Sequence, residues 1–111
     1  MKEMTSREET DAALGEETAL LFKYSMTCPI SANARQEMDS LLSGGEPVPV
    51  YRVDVNARRE VSDYVAERTG VQHESPQVIL LRGGRPVWDA DRFGVTAGAI
   101  REQLGLAAPG G

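Results

Sequence analysis

Residues 19–31, which read Ala19-Leu20-Leu21-Phe22-Lys23-Tyr24-Ser25-Met26-Thr27-Cys28-Pro29-Ile30-Ser31, decide how the fold of this chain is interpreted. The apolar run from Ala19 to Tyr24 is bounded by polar residues, which is typical of a strand buried on both faces. From Pro29 onward, apolar residues recur at helical spacing up to a pair of glycines at 44–45, which predicts a helix that ends there. The stretch therefore predicts a strand, a short loop and a helix, with Cys28 at the start of the helix.

Patterns on both sides of this stretch predict the other elements. A hydroxyl residue before an acidic turn favours a helix start, alternation favours strands, and a Gly-Gly pair favours a hairpin turn. The predicted elements are a helix over 7–14 capped by Thr5 or Ser6, a strand over 51–55, a helix capped by Asn56 and closed by Gly70, strands over 77–82 and 85–89 joined by Gly83-Gly84, and a last helix capped by Thr96.

The order of these elements predicts one domain over residues 1–111, with 107–111 as a frayed tail. Two consecutive strand–helix units give parallel strands through a right-handed crossover, and the hairpin adds two antiparallel strands. The expected α/β fold is a four-stranded mixed β-sheet with helices on both faces, plus a short N-terminal helix, which is the thioredoxin-like architecture. The ligand crevice of such a sheet lies beyond the carboxyl end of its strands, where Cys28 falls.

Composition excludes several classes of function. The chain has 12 Lys and Arg against 17 Asp and Glu, a formal net charge of −5, whereas a nucleic-acid binder is normally basic. The longest aliphatic run, Val78 to Leu81, is far shorter than the roughly 20 residues of a membrane span. One cysteine and one histidine supply neither an internal disulfide nor a structural zinc site. With no signal-peptide pattern at the start, we expect a cytoplasmic protein with no bound metal or cofactor, and no nucleic-acid or membrane partner.

Cys28 is the candidate nucleophile. In the sequence Cys28-Pro29-Ile30-Ser31 the thiol takes the N-cap position and the proline takes the first helical position, where its missing N–H costs nothing. Helix-start cysteines reach pKa values of roughly 3.5 to 7.5, against about 8.5 when unperturbed, because free N–H groups stabilise the thiolate. The alternative is that Cys28 is a small buried apolar residue, the commonest role of a free cysteine.

Two further residues have open interpretations. Ser31 stands where a dithiol oxidoreductase carries its resolving cysteine, so a second small thiol must complete any catalytic cycle. Ser31 is either an ordinary first-turn serine or a hydrogen-bond donor to the Cys28 sulfur. His73 has two possible roles. It is either a proton donor or thiolate partner near Cys28, or a surface-loop histidine whose hydrogen bonds are made there and not to the thiol.

A family resemblance follows from two motifs taken together. Residues 22–31 (FKYSMTCPIS) and residues 73–77 (HESPQ) are similar to those of the monothiol bacilliredoxin family, also called YtxJ-like proteins. The thioredoxin-like fold implies a cis-proline at Ser75-Pro76 opposite the active cysteine, with the backbone of Ser75 pairing with the substrate chain. One position departs from the family, which often has histidine where this chain has Tyr24. If that histidine tunes the thiol, thiolate character is weaker here.

The resemblance implies a redox protein that removes bacillithiol from mixed disulfides on client proteins. Cys28 would attack, with Thr27, Pro29 and Ser31 in support, and a second bacillithiol molecule would act as co-substrate and regenerate the thiol. A flavin-dependent disulfide reductase would then recycle the oxidised bacillithiol. Bacillithiol carries a malate group, so a cationic contact is expected, with Lys23 at the strand end as the candidate. The alternative for Lys23 is a side chain that simply reaches solvent.

Other functions share these features. A glutathione-linked monothiol glutaredoxin would use the same attack with a different small thiol. Iron–sulfur carriage is disfavoured because Pro29 restricts the loop next to the thiol, and arsenate reduction is disfavoured because the nearest arginine in sequence is Arg35. Two different classes stay open: a redox sensor in which Cys28 merely accepts a thiol cap, and a structural interaction domain without thiol chemistry.

Overall fold

The computed structural model describes residues 1–106, which form a five-stranded sheet flanked by four α-helices. The elements are β1 (Lys2–Glu3), α1 (Arg7–Leu14), β2 (Thr18–Tyr24), α2 (Pro29–Leu41), β3 (Val50–Asp54), α3 (Arg59–Thr69), β4 (Gln77–Arg82), β5 (Arg85–Asp91), a short 3-10 helix (Arg92–Gly94) and α4 (Ala97–Leu104). Within these residues no helix is long and apolar enough to cross a membrane. The predicted tail at 107–111 lies outside the described residues.

The strands follow the order β1-β3-β2-β4-β5, and the sheet is mixed as predicted. β2 pairs in parallel with β3 and antiparallel with β4, and β4 and β5 form the predicted hairpin. The strand count differs from the prediction, because β1 adds a fifth strand parallel to β3. Two residues are too few to show a strand period in sequence. Glu3 fixes β1 instead, by accepting from Arg52 Nε at 2.6 Å and from the Tyr24 hydroxyl at 2.7 Å.

The alternation of side chains along β2 divides the core into two layers. Leu20, Phe22 and Tyr24 face one layer, which includes buried residues of α2 and α4. Leu21 faces the other layer, which includes buried residues of α1 and α3. Lys23 follows Leu21 on this second face and is fully buried. Tertiary burial on both faces of β2 explains its uninterrupted apolar run.

The predicted helix caps have different outcomes. Thr96 caps α4 as predicted, since its Oγ1 accepts the Ala99 N–H at 3.1 Å. Ser6 holds the N-cap position of α1 but makes no side-chain cap hydrogen bond. The prediction for Asn56 was wrong, because α3 begins at Arg59. Asp54 Oδ1 accepts the N–H groups of residues 56 and 57 in a turn, which places Asn56 ahead of the helix.

Candidate functional site

Cys28 lies at the N-cap of α2, directly after the loop that leaves β2, as the sequence predicted. The cysteine is half-buried, its thiol is free, and Pro29 occupies the first turn of the helix. The backbone at Cys28 is extended, with φ −96° and ψ 126°, so the chain turns into the helix at this residue. The first N–H groups of a helix have no partner within the helix, and here they lie next to the sulfur.

The surroundings of the thiol favour the thiolate. The backbone N–H groups of Ser31 and Ile30 are the two largest causes that lower the pKa of Cys28, and the Ser31 side chain adds a smaller contribution in the same direction. Partial burial opposes them by raising the pKa. A thiolate is the form of cysteine that attacks disulfides. The helix start therefore supplies the activation that nucleophilic thiol chemistry needs.

A hydrogen-bond network centred on Ser25 holds the loop before Cys28. The Ser25 N–H donates to Ser31 Oγ at 3.0 Å, and Ser25 Oγ lies 3.1 Å from Thr27 Oγ1. Asn56 Nδ2, from the turn after β3, donates to Ser25 Oγ at 2.8 Å. Ser31 is fully buried, and it serves both the loop and the thiol because its oxygen accepts from Ser25 while its hydroxyl contributes to the lowered pKa of Cys28.

The Ser75-Pro76 segment leads into β4 beside the strand that ends at the active loop. Its peptide bond is cis, as the resemblance implied. Gln77, the next residue, pairs with Lys23 of β2, and the Pro76 carbonyl accepts the Arg92 N–H at 2.9 Å. The hydroxyl of Ser75 is buried and has no hydrogen-bond partner among residues 1–106.

Lys23 and His73 form a pair that the sequence did not predict. Lys23 is buried instead of reaching solvent, and its Nζ lies 3.0 Å from His73 Nδ1. Burial lowers the pKa of Lys23 to about 8, although the nearby Asp63 carboxylate opposes this. Burial and the Lys23 charge also lower the pKa of His73. The second neighbour of His73 Nδ1 is Ser62 Oγ at 3.3 Å, so the hydrogen bonds of this histidine go to Lys23 and Ser62 and not to Cys28.

Tyr24, at the position where the family often has histidine, supports β1. Its hydroxyl donates to Glu3, the Arg52 guanidinium lies over its ring at 5.2 Å, and its ring stacks on Phe22. Burial and the hydrogen bond to Glu3 raise the pKa of Tyr24 to about 12. Through these contacts Tyr24, on the central strand β2, helps to hold the edge strand β1.

A polar pocket of about 300 Å³ lies between the turn after β3, α3 and the loop that carries His73. Its lining residues are Val55, Asn56, Arg59, Ser62, Asp63 and His73. The polar pattern of this segment places Arg59 and Asp63 on the outer face of α3 and does not indicate a pocket. The available signal is local, since Arg59, Ser62 and Asp63 lie three to four residues apart, which places them on one face of α3. Residues 1–106 contain no group of three or more His, Cys, Asp or Glu side chains arranged to hold a metal ion.

The fold and the site together define a class: a thioredoxin-fold protein with a single cysteine at the start of the helix that follows a central strand. A solved structure described as having a thioredoxin fold superposes with a TM-score of 0.85 at 29% identity, over 93% of this chain and 92% of that chain. The oxidised thioredoxin from Plasmodium falciparum gives a TM-score of 0.72 at 17% identity, over 95% of each chain. That second likeness concerns the fold alone.

The family follows from the sequence comparisons. The family described as Monothiol bacilliredoxin BrxC matches residues 2–100, and the chain belongs to it. A curated protein of Salinibacter ruber named Bacilliredoxin is 34% identical over 97 residues, which cover 81% of this chain. The match spans only 56% of the length of that relative. The predicted family and thioredoxin-like fold are therefore confirmed.

Proposed function

We propose that this protein is a monothiol thiol–disulfide oxidoreductase that removes bacillithiol from mixed disulfides on other proteins in the cytoplasm. The observation that carries the proposal is the pairing of a thiol at a helix N-cap with a hydroxyl at position 31. The N–H groups of Ile30 and Ser31 favour the nucleophilic form of Cys28, and Ser31 leaves no second thiol within the motif. Membership of the monothiol bacilliredoxin family agrees with this chemistry.

The first step is a disulfide exchange. The Cys28 thiolate attacks the bacillithiol sulfur of the mixed disulfide, a new sulfur–sulfur bond forms, and the client thiolate leaves with the electron pair of the broken bond. Electrons are conserved, because one disulfide replaces another. Thr27 and Pro29 hold the thiol at the helix start, and the backbone of Ser75, next to Pro76, pairs with the client chain.

The second step regenerates the enzyme. A second bacillithiol thiolate attacks the bacillithiol sulfur bound to Cys28, which releases the Cys28 thiolate and forms oxidised bacillithiol. Bacillithiol is thus a co-substrate and not a resident cofactor. A flavin-dependent disulfide reductase would return oxidised bacillithiol to its thiol form outside this protein.

Intact-mass spectrometry tests the proposal directly. The reduced protein and C28S are each mixed with a bacillithiolated and with a glutathionylated test protein, before and after free thiol is added. We expect transfer of the bacillithiol adduct to the wild-type chain only, followed by its loss when bacillithiol is added.

Each of the other outcomes points to a different function. Faster transfer from the glutathionylated protein would make the chain a glutaredoxin, and an adduct that added thiol does not remove would make it a sensor. Absence of any transfer would rule out a catalytic thiol.

A further inference from the structure

The pocket beside α3 is lined by polar groups of α3 and of the loop before β4. The Arg59 guanidinium lies in the first turn of α3, the Ser62 hydroxyl lies one turn later, and the His73 imidazole belongs to the loop before β4. Arg59 and His73 are solvent-exposed, whereas Ser62 is buried. Asp63 is the carboxylate that lines the same space. The pocket therefore combines a cationic group, neutral polar groups and one anion.

The contact between Lys23 and His73 fixes which imidazole nitrogen carries the proton. An ammonium group donates hydrogen bonds and accepts none, so His73 Nδ1, 3.0 Å from Lys23 Nζ, is the acceptor. The neutral ring then carries its proton on Nε2. His73 Nε2 has no hydrogen-bond partner among residues 1–106, so this N–H is available to a ligand at the pocket wall.

The ammonium group of Lys23 adds positive electrostatic potential to the pocket, because it contacts the lining residue His73. Its side chain is fully buried, and its Nζ makes one hydrogen bond to the described residues, the contact to His73. A buried ammonium with a single neutral partner is poorly compensated. The Asp63 carboxylate offsets part of the charge but is exposed to solvent. A ligand carboxylate above His73 would supply the missing compensation.

The pocket is connected to the active loop. Asn56, which lines the pocket, donates to Ser25 Oγ at 2.8 Å. Ser25 in turn contacts Thr27, the residue before Cys28, and donates its N–H to Ser31. At the other side, Lys23 pairs across the sheet with Gln77, the residue after Pro76. The pocket thus adjoins the same end of β2 as the loop that carries Cys28, and Asn56 and Ser25 connect the two.

We infer that this pocket is the subsite for the carboxylate end of the small thiol that Cys28 accepts, with Arg59 and His73 Nε2 as its anion contacts. The inference rests on the proposed function and extends it to substrate selection. The ligand class is a low-molecular-weight thiol that carries both carboxylate and ammonium groups, since Asp63 offers an acceptor for the latter. The malate of bacillithiol satisfies the carboxylate requirement.

Single-turnover transfer measures the subsite separately from the thiol chemistry. One peptide is capped in two ways, with bacillithiol or with neutral 2-mercaptoethanol, and the rate of cap transfer to Cys28 is followed by mass. In R59Q we expect transfer of bacillithiol to slow by about tenfold, the usual loss for one charge-assisted hydrogen bond, while transfer of mercaptoethanol stays within about twofold. R58Q is the matched control, because Arg58 is an exposed neighbour outside the pocket lining, and it should leave both rates unchanged.

The outcomes separate this inference from the proposed function. If wild-type protein accepts neither cap, the proposed function fails. If the wild-type protein accepts bacillithiol, and R59Q either transfers both caps at the wild-type rate or slows both equally, the subsite is overturned while the function stands.

A second readout measures binding alone. In C28S, free malate should shift the backbone amide signals of residues 56, 59, 62 and 73, and uncharged malamide should not. Equal shifts from both compounds would also overturn the subsite.

Discussion

Ser31 joins the thiol to the loop that presents it. Its backbone N–H is the largest cause of the lowered pKa of Cys28, and its side chain contributes a smaller part. The same hydroxyl oxygen accepts the Ser25 N–H inside the protein. A cysteine at this position would provide a second thiol, but the hydroxyl serves the monothiol better because it stabilises the thiolate without competing for the disulfide.

Removal of this hydroxyl should weaken the thiolate only in part. In S31A the backbone N–H groups remain, so the pKa of Cys28 should rise modestly and the rate of alkylation by iodoacetamide should fall in mildly acidic buffer. Because the thiolate fraction grows as pH passes the pKa, the pH profile of alkylation should move to higher pH. S40A, an exposed serine on the same helix, is the control. An unshifted profile in S31A would show that the hydroxyl does not act on the sulfur.

Lys23 should make the stability of the protein depend on pH. Burial lowers its pKa from 10.5 to about 8, so between these values the unfolded chain binds more protons than the folded chain and stability rises with pH. Below about pH 8, Lys23 is protonated in both the folded and the unfolded chain, so the full cost of burying its charge lowers the stability of the protein. Ionisation of Tyr24 and Tyr51, whose pKa values are raised in the folded protein, reverses the trend above about pH 10.

Variant K23M isolates this effect. We expect the free energy of unfolding of K23M, relative to wild type, to fall by about 1 to 2 kcal/mol from about pH 7 to pH 10, after allowance for solvent screening. The exposed residue Lys2 supplies the control variant K2M, whose relative stability should not change with pH. Urea unfolding at each pH gives the values. A constant difference between K23M and wild type would contradict a lowered pKa at Lys23.

At the scale of elements, the Gly83-Gly84 turn between β4 and β5 also makes a tertiary contact. Gly83 and Gly84 both have positive φ, 59° and 77°, as a two-residue hairpin turn requires. A Cβ at Gly84 would lie 2.7 Å from the carbonyl oxygen of Leu14, whereas a Cβ at Gly83 would meet open space. The hairpin turn therefore packs closely against the end of α1, a contact that the Gly-Gly pair alone does not reveal.

The two glycines should respond differently to alanine. Both substitutions introduce left-handed backbone strain of about 1 kcal/mol, but G84A also forces its methyl group against the backbone at Leu14. We expect G84A to lose about 2 kcal/mol more than G83A in denaturant unfolding. Equal losses would mean that the close approach of the turn to α1 does not persist in solution.

At the scale of the whole molecule, β2 connects the two core layers. Leu21 is fully buried in the layer of α1 and α3, whereas Trp88 packs against the layer of α2 and α4. L21A should lose about 2 to 4 kcal/mol because it leaves a cavity. Far-UV circular dichroism and Trp88 fluorescence should report the same lowered midpoint, since a domain of this size unfolds as one unit. V87A, at an exposed side chain, is the control. Separate transitions would show that the layers unfold independently.

The sequence predicted the fold better than the site. An uninterrupted apolar run marks β2, apolar periodicity marks α2, and Pro29 marks the helix start at Cys28, because these signals are local. The Lys23–His73 pair joins residues 50 positions apart, and a lysine after an apolar run gives no indication that His73 will cover it. β1 was missed for a similar reason: its stability comes from Glu3 contacts to β2 and β3, not from a period of its own.

The outer edge of β5 is poorly suited to pairing with a strand of another protein. An edge strand exposes unpaired N–H and C=O groups on which a foreign strand can assemble. β5 carries Pro86, which has no N–H to offer, and it carries charges at Arg85, Asp89 and Asp91. β1, at the opposite edge, is only two residues long. Neither edge of the sheet therefore offers a long, uninterrupted strand on which a chain of another protein could assemble.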